Sequence, residues 1–442
     1  MKKNLRDMDL FTVFHFRDER ARGRCVMLAS AVFSLLATNL CMSGTLYTVF
    51  LTANHFSIVD TGVLGFLVPI ASCFSVFSPL LLERLPRRRA VLTTLRALYY
   101  VINIVGVTVL TYTAHDPQTK LIGFGAVIFL SNICNALMGG GYSVWHLNFI
   151  PNNVRAKYFS YQQIISGLVS GVSLVGAGLI ADAIRGSAHE LTILVILRAV
   201  GFACAAADVI ALALPKEYPY PPSDEKVSIV NTFRLPLKHP KFLITIGLMC
   251  MWTFGVALAT TWTYYVLNTV GIKVSLMNGM ELMNGIVLIL AASAARRMVA
   301  RHSWFRTFAY AAMVHAASTA LYAFIGNVTY PAVFFVFIRI VQHIEGVALN
   351  LTYANFPFIH IPQKGGTYFL SFYTVAVNLS NFVGQMLGTL FIKQMGTRTL
   401  TLFGAVLEPP AILMLLQAAV LTGVVVLIFV LRGKLEQSDA ED

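Results

Sequence analysis

Apolar residues run along this chain in stretches of about 20, separated by charged residues, prolines or glycines. A stretch of that length crosses roughly 30 Å of hydrocarbon at 1.5 Å per residue. The stretches fall near residues 25–51, 60–82, 90–113, 121–148, 163–184, 191–214, 242–268, 275–297, 304–326, 331–356, 367–392 and 408–431. The pattern therefore predicts an all-α integral membrane protein with 12 transmembrane helices in two pseudo-symmetric six-helix bundles. The longest polar break, 215–241, holds Pro215, Pro219, Pro221, Pro222 and five basic residues, and reads as a linker. The expected organisation is a tail at 1–24, a bundle at 25–214, the linker, a second bundle at 242–431 and a tail at 432–442.

Polar positions inside the apolar runs are ordered as well. In span ten Arg339, Gln342, Gly346, Asn350 and Tyr353 share one helical face, and in span four Asn132, Asn135, Gly139, Ser143 and His146 do the same. The two sets are offset by 207 residues at all five positions, with glycine at the same place in each. Ile150-Pro151 before Tyr158-Phe159 is matched by Ile361-Pro362 before Tyr368-Phe369, so the halves read as an internal repeat. Two polar stripes in register look like two walls of one cavity. Span five (Gln163, Ser166, Ser170, Ser173) and span eleven (Ser371, Thr374, Asn378, Asn381, Gln385) carry a polar face too. Spans one and seven turn polar and aromatic at their outer ends, with Asn39, Ser43 and Tyr47 in one and Thr260, Trp262, Thr263, Tyr264 and Asn268 in the other. Spans three, six, nine and twelve have few central polar residues and are expected to face lipid. Small, mildly polar residues also pack membrane helices, so Ser170 or Thr374 taken singly reads as helix contact, whereas the span-ten stripe reads as a binding face.

Composition agrees with the pattern: 57% of residues are hydrophobic and 12% charged, with a mean hydropathy of +0.71, against about 25% charged in a soluble domain. The net charge of +13 would suggest nucleic acid in a soluble protein. Its placement argues for topology instead. Of 33 lysines and arginines, 25 lie on the side of the N-terminus, 5 on the other, and Arg96, Arg198 and Arg339 within spans. The positive-inside rule then places both termini in the cytoplasm of a multi-pass cell-membrane protein. All six cysteines lie in apolar runs without a CxxC pair, which reads as packing. The charged residues before the first run argue against a cleavable signal. Phe11, Phe14 and Phe16 belong either to a headgroup-bound segment or to a solvated tail.

Ionisable groups in a bilayer are costly and are functional candidates by default. Arg339 could hold a carboxylate bidentately, with a fixed inter-span ion pair as the rival role. Gln342, His343, Asn350, Asn132, Asn135, Ser143, Tyr47, Trp262, Tyr264, Asn378 and Asn381 complete the expected substrate-binding set. Glu281 and Glu345 are the candidates for proton coupling. Arg96, Arg198 and Asp208 lie on spans expected to be peripheral, where local pairing or snorkelling accounts for them.

With six plus six spans, a basic central loop and related halves, the chain resembles the major facilitator superfamily over nearly its full length. The family's loop between spans two and three corresponds to Pro79-Leu80-Leu81-Leu82-Glu83-Arg84-Leu85-Pro86-Arg87-Arg88. The acid–Arg and Arg–Arg elements are present, while both family glycines are prolines. The resemblance implies a cytoplasmic gate at Glu83, Arg84, Arg87 and Arg88. The segment from Trp145 to Phe159 resembles the loop after span four in prokaryotic members. The Gly-Pro motif of drug antiporters and the acid-rich signatures of peptide and sugar transporters are absent. No GxxxxGK[ST] loop is present, so energy is expected from an ion gradient, with the proton first, and no cofactor is expected. The expected function is secondary transport of a small polar or anionic solute by alternating access, in a monomer with no nucleic-acid partner and no enzyme activity. A lipid or lysolipid flippase, a drug exporter and a membrane-embedded lipid-modifying enzyme are the alternatives.

Overall fold

The computed structural model describes residues 13–14, 18–82, 85, 87–147, 150, 152–218, 229–361 and 366–436. Among the described residues eleven helices are long and apolar enough to cross a membrane, and the bent pair Val274–Leu288 and Leu290–His302, counted as one span, brings the number to twelve. Packing sorts the chain into two compact units that exchange pieces of sequence. One comprises Met1–His55, Phe74–Val227 and Val274–Leu282; the other comprises Phe56–Cys73, Ser228–Lys273 and Met283–Asp442.

In the first unit, span one is broken into Glu19–Cys41 and Gly44–Ala53, and Gly44 makes the corner with φ of +79°. Span three (Arg89–Thr113) contains a π-helical turn at Val101–Gly106. Each irregularity exposes backbone carbonyls that hydrocarbon cannot solvate. Arg198, on span six (Glu190–Ala213), answers both. It donates to the Cys41 carbonyl at 2.6 Å, to the Ile104 carbonyl at 3.3 Å and to Thr108 Oγ1 at 3.0 Å. Its guanidinium also lies 4.3 Å from the centre of the Phe50 ring. Gly201, one turn further on, lets span six approach span one closely, because a Cβ there would collide with Cys41 Sγ.

A second buried network joins spans one, three and six. Arg96 Nε meets Asp208 Oδ2 at 2.9 Å, Tyr100 donates to the same oxygen at 2.6 Å, and Ser30 donates to Oδ1 at 2.5 Å. Arg96 also reaches Ser34. Asp208 is 1% exposed, so its charge depends on these partners. Sequence reasoning offered pairing or snorkelling for these residues, and pairing is what forms. Span five (Asn152–Ile184) carries Asp182, whose carboxylate accepts from the backbone N–H of Val274 and Ser275 at 2.8 and 2.9 Å. It thereby caps the start of span eight (Val274–His302) and binds it to this unit. Glu217 does the same for span three, accepting from the N–H of Arg88 and Arg89.

In the second unit, span seven is broken as span one is, into Pro240–Leu258 and Trp262–Asn268. Span eleven (Gly366–Met395) rests on that break through Gly384 and Gly388, where a Cβ would meet the Phe254 and Leu258 carbonyls. Span two (Ile58–Ser72) packs on the other flank of span eleven, with Gly62 against Thr389 and Phe66 edge-on to Phe382 at 5.6 Å. Spans nine (Trp304–Tyr322), ten (Pro331–Tyr353) and twelve (Pro409–Glu436) close the unit around Phe242, Trp252, Phe305, Phe308, Phe356 and Phe369.

Asp208→Asn leaves Arg96 buried without its counter-charge and should destabilise the fold by about 3–5 kcal/mol. Arg96→Met combined with Asp208→Leu should recover most of that loss. Thermal denaturation in detergent of the single and double variants measures the pair directly.

Candidate functional site

The second unit encloses a cavity of about 570 Å3. Span ten supplies one wall through Arg339, Gln342, His343, Glu345, Gly346, Asn350 and Tyr353, so its polar stripe does face an opening. Trp252, Thr253 and Thr260 of span seven, Asn381 and Gln385 of span eleven, and His315 of span nine line the other sides, with Val256, Ala257 and Leu349 as apolar wall. Gly346 keeps the wall low: a Cβ there would meet nothing within 4 Å.

Arg339 donates to Gln342 Oε1 at 3.3 Å. The guanidinium is a planar array of five N–H donors, a geometry that matches carboxylates and phosphates. Gln385 donates to Asn381 Oδ1 at 2.9 Å, while its own Oε1 is buried with no hydrogen-bond partner among the described residues. Thr253 and Tyr353 share a hydrogen bond of 2.6 Å that fixes the tyrosine against span seven.

The strongest contact in the cavity is His315 Nδ1 to Glu345 Oε1 at 2.5 Å, with the carboxylate 5% exposed. Glu345 Oε2 is buried and has no hydrogen-bond partner among the described residues. Trp252 flanks the imidazole at 5.6 Å between ring centres. Which of the two groups donates in this contact depends on the histidine tautomer. Glu345 sits off the Arg339 stripe and turns to span nine, where it meets His315. His315 was missed, because span nine reads as lipid-facing. The available signal was a lone ionisable residue in the middle of an alanine-rich helix.

Other sequence candidates lie elsewhere. Asn378 donates to the Thr374 carbonyl of its own helix at 2.8 Å. Trp262 packs on Tyr322 and Tyr265 at 4.8 and 5.2 Å, and Tyr264 donates to the Phe56 carbonyl at 3.3 Å. In the first unit Asn132 is buried and donates to the Ile128 carbonyl at 2.8 Å, Asn135 and Tyr47 are half-buried, and Glu281 is exposed. His146, on the span-four stripe, is buried against Tyr158 OH at 3.0 Å. Among the expected gate residues Arg87 is exposed and Arg88 buried. Glu83, Arg84 and the side chain of Ser143 lie outside the described residues.

No family model matches the sequence, and no curated protein matches it. The fold does match solved structures. The nucleoside transporter NupG (D323A mutant) superposes with a TM-score of 0.66 at 12% identity, covering 93% of this chain and 99% of that one. A bacterial homologue of the iron transporter ferroportin, in an inward-facing state, gives 0.69 at 10% identity over 92% and 98%. A POT family transporter in complex with a thioalcohol-conjugated peptide gives 0.66 at 12% identity over 94% and 97%. At such identities the likeness establishes the architecture: the chain is a multi-pass membrane protein with the major facilitator fold.

Gly346→Leu should project into the cavity, since a Cβ at this position meets nothing within 4 Å. It is expected to leave the melting temperature in place and to weaken binding of any cavity ligand roughly five- to a hundredfold. Ligand-induced thermal shift of the two proteins measures this. An unchanged shift would show that the ligand binds outside the cavity.

Proposed function

We propose that this protein is a secondary transporter that moves a small, polar, carboxylate-bearing solute by alternating access, coupled to a proton. One observation carries the reading: Arg339 and the His315–Glu345 pair line the same cavity. A bilayer-embedded arginine lining a cavity favours an anionic acceptor, and a carboxylate matches its fork. The amides of Gln342, Asn350, Asn381 and Gln385 supply further hydrogen bonds around that anchor, while Trp252 and Tyr353 give flat faces for an apolar portion.

Coupling follows from charge. A carboxylate beside Arg339 changes the cavity's charge by one, and a proton on His315–Glu345 changes it by one in the opposite sense. Loading both moves no net substrate-plus-proton charge through hydrocarbon, which lowers the barrier for the loaded protein. His343 and Arg339 on span ten, and the ring of Trp252 on span seven, are the other groups facing this pair around the cavity. A flippase would favour an apolar lining, and the arginine, glutamate, histidines and amides on these walls weigh against it. The charge distribution supports a cell-membrane location with both termini cytoplasmic.

In proteoliposomes Arg339→Ala should raise the KM for uptake about 10- to 150-fold, the value of a charged hydrogen bond, with the fold intact. Unchanged uptake would remove Arg339 from the site. Glu345→Gln and His315→Asn should abolish accumulation driven by a pH gradient while keeping substrate exchange across the membrane. Wild-type pH-driven accumulation in both variants would sink the coupling mechanism.

A further inference from the structure

Span eight ends in a cationic groove that neither the transport cavity nor the helix packing uses. The helix bends by 54° between Val274–Leu288 and Leu290–His302. Its last turns place Arg297, Arg301 and His302 around an opening of about 320 Å3, with Ala294 and Met298 as the remaining walls. Arg297 and Arg301 stand one turn apart on one helix face, and both are exposed. The turn to span nine is the single residue Ser303, held at φ of 73°, and its hydroxyl accepts from the Arg306 N–H. The His302 ring lies 5.8 Å from that of Tyr310, and Trp304 opens the next helix. The groove is thus a fixed feature at the membrane boundary, with aromatic residues of the kind that settle at headgroup depth.

No ion pair neutralises it among the described residues. From Leu282 to Ile344 the sequence holds no aspartate or glutamate. Arg296, Arg297 and Arg301 make no ion pair among the described residues. Topology alone needs positive charge at this end of the span. It does not need two arginines in register over an apolar floor.

We propose that this groove binds the phosphodiester headgroup of an anionic phospholipid. The phosphate oxygens lie between the guanidinium forks of Arg297 and Arg301, which match phosphate bidentately. His302 flanks them, and the glycerol and first acyl carbons rest on Met298 and Ala294. Free phosphate offers the same oxygens, but nothing for the apolar floor. The inference stands on the membrane architecture and the groove, and it is independent of the substrate assigned to the cavity.

Native mass spectrometry of the full chain, titrated with phosphatidylglycerol, phosphatidylcholine or inorganic phosphate, tests this. The wild type is expected to retain phosphatidylglycerol in preference to the other two. Arg297→Gln with Arg301→Gln should weaken that binding about fivefold per arginine. Arg234→Gln with Lys238→Gln removes the same charge from other exposed positions and should leave it unchanged. Equal weakening in this second pair would reduce the effect to net charge and overturn the site, as would phosphate binding as well as the lipid. Hydrogen exchange of the wild type gives an answer even if the variant fails to insert. Residues 290–304 should exchange more slowly in phosphatidylglycerol nanodiscs than in phosphatidylcholine ones, and equal exchange would overturn the proposal.

Discussion

Hydrocarbon offers no hydrogen bonds, so every departure from regular helix inside the bilayer must bring its own partner. Most of the polar architecture follows from that constraint. Span one breaks at Met42–Ser43 and span three opens into a π-helical turn, and Arg198 joins the two by donating to a carbonyl of each. Without the breaks the arginine would be an uncompensated charge; without the arginine the carbonyls would be orphaned. The Arg96–Asp208 pair obeys the same rule, with Ser30 and Tyr100 filling the carboxylate's remaining capacity. In the second unit the break in span seven is met by backbone contact: Gly384 and Gly388 bring span eleven onto the Phe254 and Leu258 carbonyls.

The cavity of the second unit gathers polar atoms that lack a hydrogen-bond partner among the described residues. Glu345 has one oxygen tied to His315 and the other buried without a partner, and Gln385 carries a second unpartnered oxygen on the same wall. Groups in this condition cost free energy in a low-dielectric interior. Asp208 is bonded through both oxygens, whereas Glu345 is bonded through one. Hydropathy cannot draw that distinction.

The sequence therefore disclosed the fold more readily than the site. Length and apolarity of the runs report directly on bilayer crossing, and the polar face of span ten emerged from periodicity because its residues share one helix. His315 and Trp252 stayed hidden, since their roles depend on which helices become neighbours, and periodicity within one helix carries no such information. Arg198 was visible as a buried charge, yet its partners are backbone carbonyls at irregular turns. A hydropathy profile passes smoothly over both turns.

The repeat makes the same point from another direction. An offset of 207 residues relates Asn132, Asn135, Gly139 and His146 to Arg339, Gln342, Gly346 and Tyr353, and a Cβ on either glycine would meet nothing within 4 Å. The register is shared, but the chemistry is not. Asn132 bonds its own helix and His146 packs against Tyr158, whereas Arg339 and Gln342 open into a cavity. The same offset relates Asp182, which caps the start of span eight, to Thr389, which packs on Gly62 near the start of span two. Helix register is what packing in a bilayer constrains, because one residue of slip turns a polar face toward lipid. Side-chain identity on a face already turned inward is constrained only by the need for partners. One register thus accommodates an arginine that lines a cavity on span ten and an asparagine that bonds its own helix on span four.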